Sequence, residues 1–242
     1  TKMMVPFWDN HLLLKKNSPE KIINENLGAT INQITTGAFK KMIFFFPEQN
    51  EQTKIGDYFQ QLDKLIEQKE KKYQKLKQFK KAMLSKMFPK NGANTPEIRF
   101  KGFSGEWEEK KLGDIGEIVT GSTPSTQEPL YYSNDGIPWV TPTDISENVT
   151  FFTARCLSEK GQKVARIVPK NTLLVTCIAS IGKNTLLGAM GSFNQQINGL
   201  VSNENEYNPY FLFTESSIWS DKMKKLAASG TMQIVNKKEF SE

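Results

Sequence analysis

Two cysteines and one histidine are all that 242 residues contain of those types. Cys156 and Cys177 cannot build a disulfide framework, and no C-x-x-C spacing occurs, so the expected compartment is the cytoplasm. His11 alone removes most histidine-based zinc sites and any Ser–His triad built in the second half of the chain, so no metal is expected. It reads as a surface or packing residue, and the cysteines read as small buried hydrophobes. Long apolar runs are also lacking. The longest, Met42-Ile43-Phe44-Phe45-Phe46, is strand-sized, whereas a membrane-spanning helix needs roughly 18–20 residues. Thr1-Lys2-Met3-Met4 has neither the apolar stretch nor the cleavage site of a signal peptide. A chain that opens on Thr is expected of a truncated or processed product. No G-x-x-x-x-G-K-[ST] loop appears, which argues against an ATPase.

What is present is apolar material for one or two domains, with 38% hydrophobic residues, and a basic balance of net +6 at pI 9.1. The excess is local. Ten lysines lie between Glu51 and Pro89 against five acids, which places most of the net charge in one segment. Such a run fits a solvated helix face; it also fits a positive rod beside phosphates or an acidic partner.

The same stretch predicts one long helix over residues 53–88. Helix formers fill it, and no Gly or Pro follows Gly56 until Pro89-Lys90-Asn91-Gly92 stops it. Phe59, Leu62, Ile66, Tyr73, Leu76, Met83 and Met87 step by three and four, a coiled-coil seam weakened where Lys69 and Lys80 take its slots. One apolar stripe on a helix of about 54 Å needs a partner helix, and none is visible elsewhere in the sequence. Residues 98–242 mix short strands with polar loops. Residues 137–140, 172–178 and 199–201 read as strands, and turns are expected at 121–124, 134–136, 181–184 and 203–205. Residues 208–228 read as a helix with Pro209 at its start and Gly230 past its end. The expected class is α+β, a mixed domain with one long coiled-coil-type helix. A weak internal repeat at an offset of 201 residues pairs Thr30-Ile31-Asn32 with Thr231-Met232-Gln233 and Phe39 with Phe240.

These segments carry a resemblance. Phe46-Pro47-Glu48-Gln49-Asn50-Glu51-Gln52-Thr53-Lys54-Ile55-Gly56, with the helix ending Met87-Phe88-Pro89, resembles the conserved helical region of the specificity (S) subunit of type I restriction–modification enzymes. Pro96-Glu97-Ile98-Arg99-Phe100, Gly105-Glu106-Trp107 and Lys111-Leu112-Gly113-Asp114-Ile115 resemble the entry to its target recognition domain. Residues 120–125, 137–140, 143–145 and 194–197 resemble its internal motifs. The resemblance implies two recognition domains joined by antiparallel long helices, each domain reading half of a split double-stranded DNA site. It also implies docked methyltransferase subunits that supply S-adenosylmethionine chemistry, and a translocase–nuclease subunit for cleavage. On that pattern residues 1–47 would be the tail of a first recognition domain, 48–89 the spacer helix, 90–97 a linker and 98–242 a second recognition domain. That second domain stops before a second long helix, so two such chains are expected to be able to pair through their seams.

Catalysis is not expected of this chain, and no cofactor is. Asn208-Pro209-Tyr210-Phe211 resembles an adenine-methyltransferase loop one Pro short, but no G-x-G turn follows an early strand, so a helix cap with Pro at its first position is the better reading. For reading DNA the sequence offers amides, hydroxyls and aromatics on loops. Asn and Gln can pair with adenine, and Lys with guanine. The candidates are Ser122, Thr123, Tyr131, Tyr132, Thr141, Thr143, Lys183, Asn184, Gln195, Gln196, Thr231 and Gln233. Lys163, Lys170 and Lys183 could position phosphates. An ordinary surface turn at 121–124 and half-buried packing of Tyr131 and Tyr132 fit as well, strand-end capping by residues 194–196 fits slightly better, and Trp139 reads as core.

Overall fold

The computed structural model describes residues 36–90 and 92–228 of a chain that divides into two units, residues 1–74 and 75–242, each taken here by itself. Residues 1–35 and 229–242, with His11, Thr231, Gln233 and most of the 201-residue repeat, lie outside the described residues.

The described part of the first unit holds α1 (Thr36–Lys40) and most of α2 (Gln49–Met87). The long helix begins four residues earlier than its composition predicts. Pro47 precedes the first turn, where Gln52 Nε2 donates to its carbonyl at 2.8 Å. Gly56 costs only about 1 kcal/mol relative to Ala, too little to end a helix so rich in good formers. No residue of α2 is buried. Phe59, Ile66, Tyr73 and Leu76 of the seam are exposed, and Leu62, Met83 and Met87 are half-buried. Leu65 and Phe79, which the three–four spacing did not include, are exposed too and widen the stripe. Surface pairs such as Glu67–Lys71 at 2.5 Å add little stability.

The second unit carries the last turns of α2, then α3 (Leu112–Ile115), β1 (Gly116–Thr120), a 3-10 turn (Pro129–Tyr131), β2 (Tyr132–Ser133), β3 (Ile137–Val140), β4 (Val149–Thr150) and β5 (Cys156–Leu157). After these come α4 (Glu159–Gln162), β6 (Leu173–Thr176), β7 (Asn184–Leu187), β8 (Ser192–Phe193), β9 (Ile197–Ser202) and α5 (Pro209–Ala228). The fold is α+β. One sheet has the order β1-β9-β6-β7-β4, antiparallel except for β4 against β7; the other has β2-β5-β3-β8, with β3 parallel to β8.

All four residues of β6 are buried, because the larger sheet is covered on both faces. On one face Leu173 and Val175 pack with Ile118, Leu186 and Leu200 against Leu212 and Phe213 of α5. On the other, Leu174, Leu187 and Ile197 pack with Val140 and Phe193 of the smaller sheet. Gly199 lets the Phe193 ring lie on β9, since a Cβ there would stand 2.7 Å from Cζ. Burial pushes the Cys177 thiol up to about 11, where Asn198 Nδ2 approaches its sulfur at 3.3 Å. The strand expected over 172–178 ends at Thr176. Beyond it the Cys177 amide turns to Gln196 O, and Ala179 takes a left-handed φ of 61°.

α5 starts on the predicted cap. Asn208 Oδ1 accepts Phe211 N at 3.0 Å, with Pro209 as the first helical residue. Phe211 stacks on Phe88 at 5.5 Å, with the Trp107 ring beside both. Next to them lies an apolar groove of about 660 Å³, with Phe79, Met83, Phe100 and Phe103 in its lining. Among the described residues no helix is long and apolar enough to cross a membrane.

Leu174 is fully buried between the two sheets. Leu174→Ala is expected to lower the unfolding free energy by about 2–5 kcal/mol; a denaturant midpoint within error of the parent chain would contradict this packing.

Candidate functional site

Strand register decides which loops meet. Thr120 of β1 faces Asn198, Ile197 of β9 faces Thr176, and Val175 of β6 faces Asn184. The C-terminal ends of β1 and β6 and the N-terminal ends of β7 and β9 therefore share one end of the larger sheet. In the smaller sheet Val140 pairs with Phe193 in parallel, so Thr141 and Asn194 leave together, and Asn194 N donates to Val140 O at 2.9 Å. Ser122 N reaches Phe193 O at 2.8 Å, and Lys183 Nζ reaches Pro142 O at 3.1 Å. Loops at 121–125, 141–144, 177–183 and 194–196 thus form one polar rim.

Four of the candidate residues are exposed on that rim: Thr123, Thr143, Lys183 and Gln195. Thr123 Oγ1 donates to Gln195 Oε1, which ties two of the loops together. Gly121 permits their approach, because a Cβ there would lie 2.0 Å from Asn194 O.

The other described candidates are half-buried and bond within the protein. Both ends of the Asn184 amide are taken up by α5, with Nδ2 donating to Ser216 Oγ and Oδ1 accepting from Ser220 Oγ, each at 2.9 Å. Gln196 closes a local ring with Asn194, which bonds its backbone amide and its side-chain oxygen at 3.1 and 3.0 Å. Ser122 Oγ accepts Arg166 N at 2.9 Å. Thr141 Oγ1 donates to Asp144 at 2.6 Å. Tyr132 is half-buried against Trp139, its hydroxyl donating to Pro124 O at 2.7 Å. Desolvation raises its phenol above the usual tyrosine range, and Arg155, 5.7 Å from the ring centre, opposes that. Tyr131 is half-buried at the end of the 3-10 turn that precedes β2, where its carbonyl accepts Ser158 N. Trp139 is core, as read, and donates to Ser122 O at 3.0 Å. Lys170 adjoins the start of β6, at the end of the sheet away from the rim.

Three residues that shape the rim were not among the candidate site residues. Asp144 accepts Thr141 N, Thr141 Oγ1 and Ala154 N. Arg166 clamps Thr120 O at 2.6 Å from 46 residues away. Lys224 of α5 lies against Gly182, whose φ of +78° suits the tight loop. The aspartate after Thr143 was a usable signal, since Asp commonly grips its own turn; the arginine gave none. Among the described residues no group of three or more His, Cys, Asp or Glu could hold a metal.

The family model described as the type I restriction modification DNA specificity domain matches residues 9–78 and 104–242. The chain belongs to that family. Among curated relatives, the type I restriction enzyme MjaIX specificity subunit of Methanocaldococcus jannaschii is 31% identical over 132 residues, covering 52% of this chain and 30% of that protein. The HindI specificity subunit of Haemophilus influenzae is 29% identical over 142 residues, covering 56% and 30%. The matched part of this specificity-domain chain thus spans under a third of the length of either relative. Two solved structures share the fold. The HsdS subunit from Thermoanaerobacter tengcongensis superposes with a TM-score of 0.53 at 14% identity, covering 92% of this chain and 54% of that one. A chain from a study of complex assembly and conformational transition of the type I R-M system gives 0.55 at 15% identity, covering 92% and 55%.

If Asn184 serves α5 rather than a ligand, Asn184→Ala strips the partner from the buried Ser220 hydroxyl. A loss of about 1–3 kcal/mol is expected in denaturant unfolding, and an unchanged midpoint would return Asn184 to the rim.

Proposed function

We propose that this chain is a non-catalytic DNA specificity component of a type I restriction–modification complex. In this reading residues 98–242 form a target recognition domain that reads part of a split double-stranded DNA site, and residues 1–47 are the tail of another. The observation that supports it best is the convergence of four loops on one rim, with Thr123, Thr143, Lys183 and Gln195 exposed there. Hydroxyl, amide and ammonium groups on loops suit base edges and phosphates, and contribute nothing to a packed core. Lys224 of α5, paired with Asp221 at 3.3 Å, lies against Gly182 beside the same rim.

The exposed stripe of α2 supports a helical partner, and the apolar groove lined by its last turns supports an apolar one. The partners in this reading are methyltransferase subunits, which hold S-adenosylmethionine, and a translocase–nuclease subunit. A second copy of the chain can pair through the same stripe. The chain supplies recognition to chemistry carried by its partners.

Retention of a random duplex by the full chain is expected to fall about a hundredfold or more between roughly 50 and 200 mM salt, the signature of several phosphate contacts. A sequence-dependent remainder should disappear in Gln195→Ala and Lys183→Ala. Stable protein partners without any sequence-dependent retention would instead favour a coiled-coil scaffold.

Sedimentation addresses the pairing: the wild-type chain is expected to be dimeric at micromolar concentration, and Ile66→Asp with Leu76→Asp monomeric. A wild-type monomer would remove self-pairing from the account.

A further inference from the structure

The turn at 141–144 has a hydrogen-bond polarity that its sequence does not display. Asp144 Oδ2 lies 2.8 Å from Thr141 N and 2.6 Å from Thr141 Oγ1, and Oδ1 lies 2.9 Å from Ala154 N. Thr141 Oγ1 is in turn 2.8 Å from Thr143 Oγ1. A carboxylate only accepts, so its contact with Thr141 uses the single proton of that hydroxyl. The contact between the two threonines then has one consistent assignment, with Thr143 donating and Thr141 accepting. The proton of Thr143 is committed inward, and its exposed oxygen offers only lone pairs outward. Its surroundings reinforce the pattern. Pro142 has no N–H, and Asp144 N is spent on Thr141 O at 3.0 Å. Side-chain donor capacity beside this turn comes from Lys183, whose ammonium already gives one proton to Pro142 O.

We propose that Thr143 is a specificity-determining acceptor. It takes a hydrogen bond from an exocyclic amino group in the major groove, N6 of adenine or N4 of cytosine, and disfavours the carbonyl edges of guanine and thymine. Asp144 is the positioning residue that sets this polarity through Thr141. The proposal rests on the reading of the rim as a DNA-contacting surface, and adds which chemical edge one of its residues selects. Adenine and cytosine present an amino donor in the major groove, guanine and thymine a carbonyl acceptor, so an acceptor-only hydroxyl separates them by polarity alone.

The test starts with a pool of randomised duplexes, from which the full wild-type chain selects its preferred sequence. In that duplex each adenine is replaced in turn by purine and each cytosine by pyrimidin-2-one, analogues that lack the amino group. At one position the replacement is expected to weaken wild-type binding about three- to tenfold. Thr143→Val should show the same loss on the unmodified duplex and no further loss on the analogue, while Thr143→Ser should restore the wild-type response. Because Thr143 is exposed, neither substitution threatens the fold. Coupling of Thr143 to a guanine or thymine carbonyl, or to no amino group, overturns the proposal while leaving the rim as a reader. A wild-type chain that enriches no sequence overturns the reading and this proposal together.

Discussion

The domain depends on cover for both faces of one strand. Leu173, Leu174, Val175 and Thr176 are all buried, so β6 must be central and must have a layer on each side. A one-residue slip of β6 against its neighbours would exchange its residues facing α5 with those facing the smaller sheet. That would set Leu174 against the helix and Val175 against Phe193, in sites shaped for the other. Register is therefore strongly specified, and register in turn brings four loops to one end. The position of the polar rim follows from apolar packing several residues away from it.

Beyond this core the rim has side chains that only brace it and exposed side chains that brace it while also facing outward. Asp144, Asn194 and Tyr132 bond to backbone or to neighbouring loops and are drawn into the structure, and Arg166 grips a backbone carbonyl while staying exposed. Thr123, Thr143, Lys183 and Gln195 sit above them, exposed. Every buried polar side-chain atom among the described residues has a partner, which is what a surface made of loops requires to keep one shape.

The long helix, β3 and the α5 cap were legible because each is a local pattern: a three–four spacing, a Pro-Trp-Val run, an Asn-Pro start. The two-residue strands β2, β4, β5 and β8 were not, because a pair of residues carries no periodicity. β7 was obscured by the turn chemistry of Gly182-Lys183-Asn184, whose last residue opens the strand. The candidate site was legible as a set of loops and not as individual roles. Asn184 has the composition of a reader, and only the approach of Ser216 and Ser220, 32 and 36 residues later, makes it a brace for α5. Arg166 was hidden for the same reason, since its partner carbonyl is 46 residues away.

The rim's braces grip main-chain atoms. Arg166 holds the carbonyl of Thr120, Tyr132 that of Pro124 and Lys183 that of Pro142, while Asp144 takes two peptide amides. Peptide groups are the same whatever residue bears them. These main-chain grips are independent of the side chains at Thr120, Pro124 and Pro142, so the outline of those loops does not depend on which residues they present, whereas Thr123 and Gln195 both present polar groups and tie their two loops to each other.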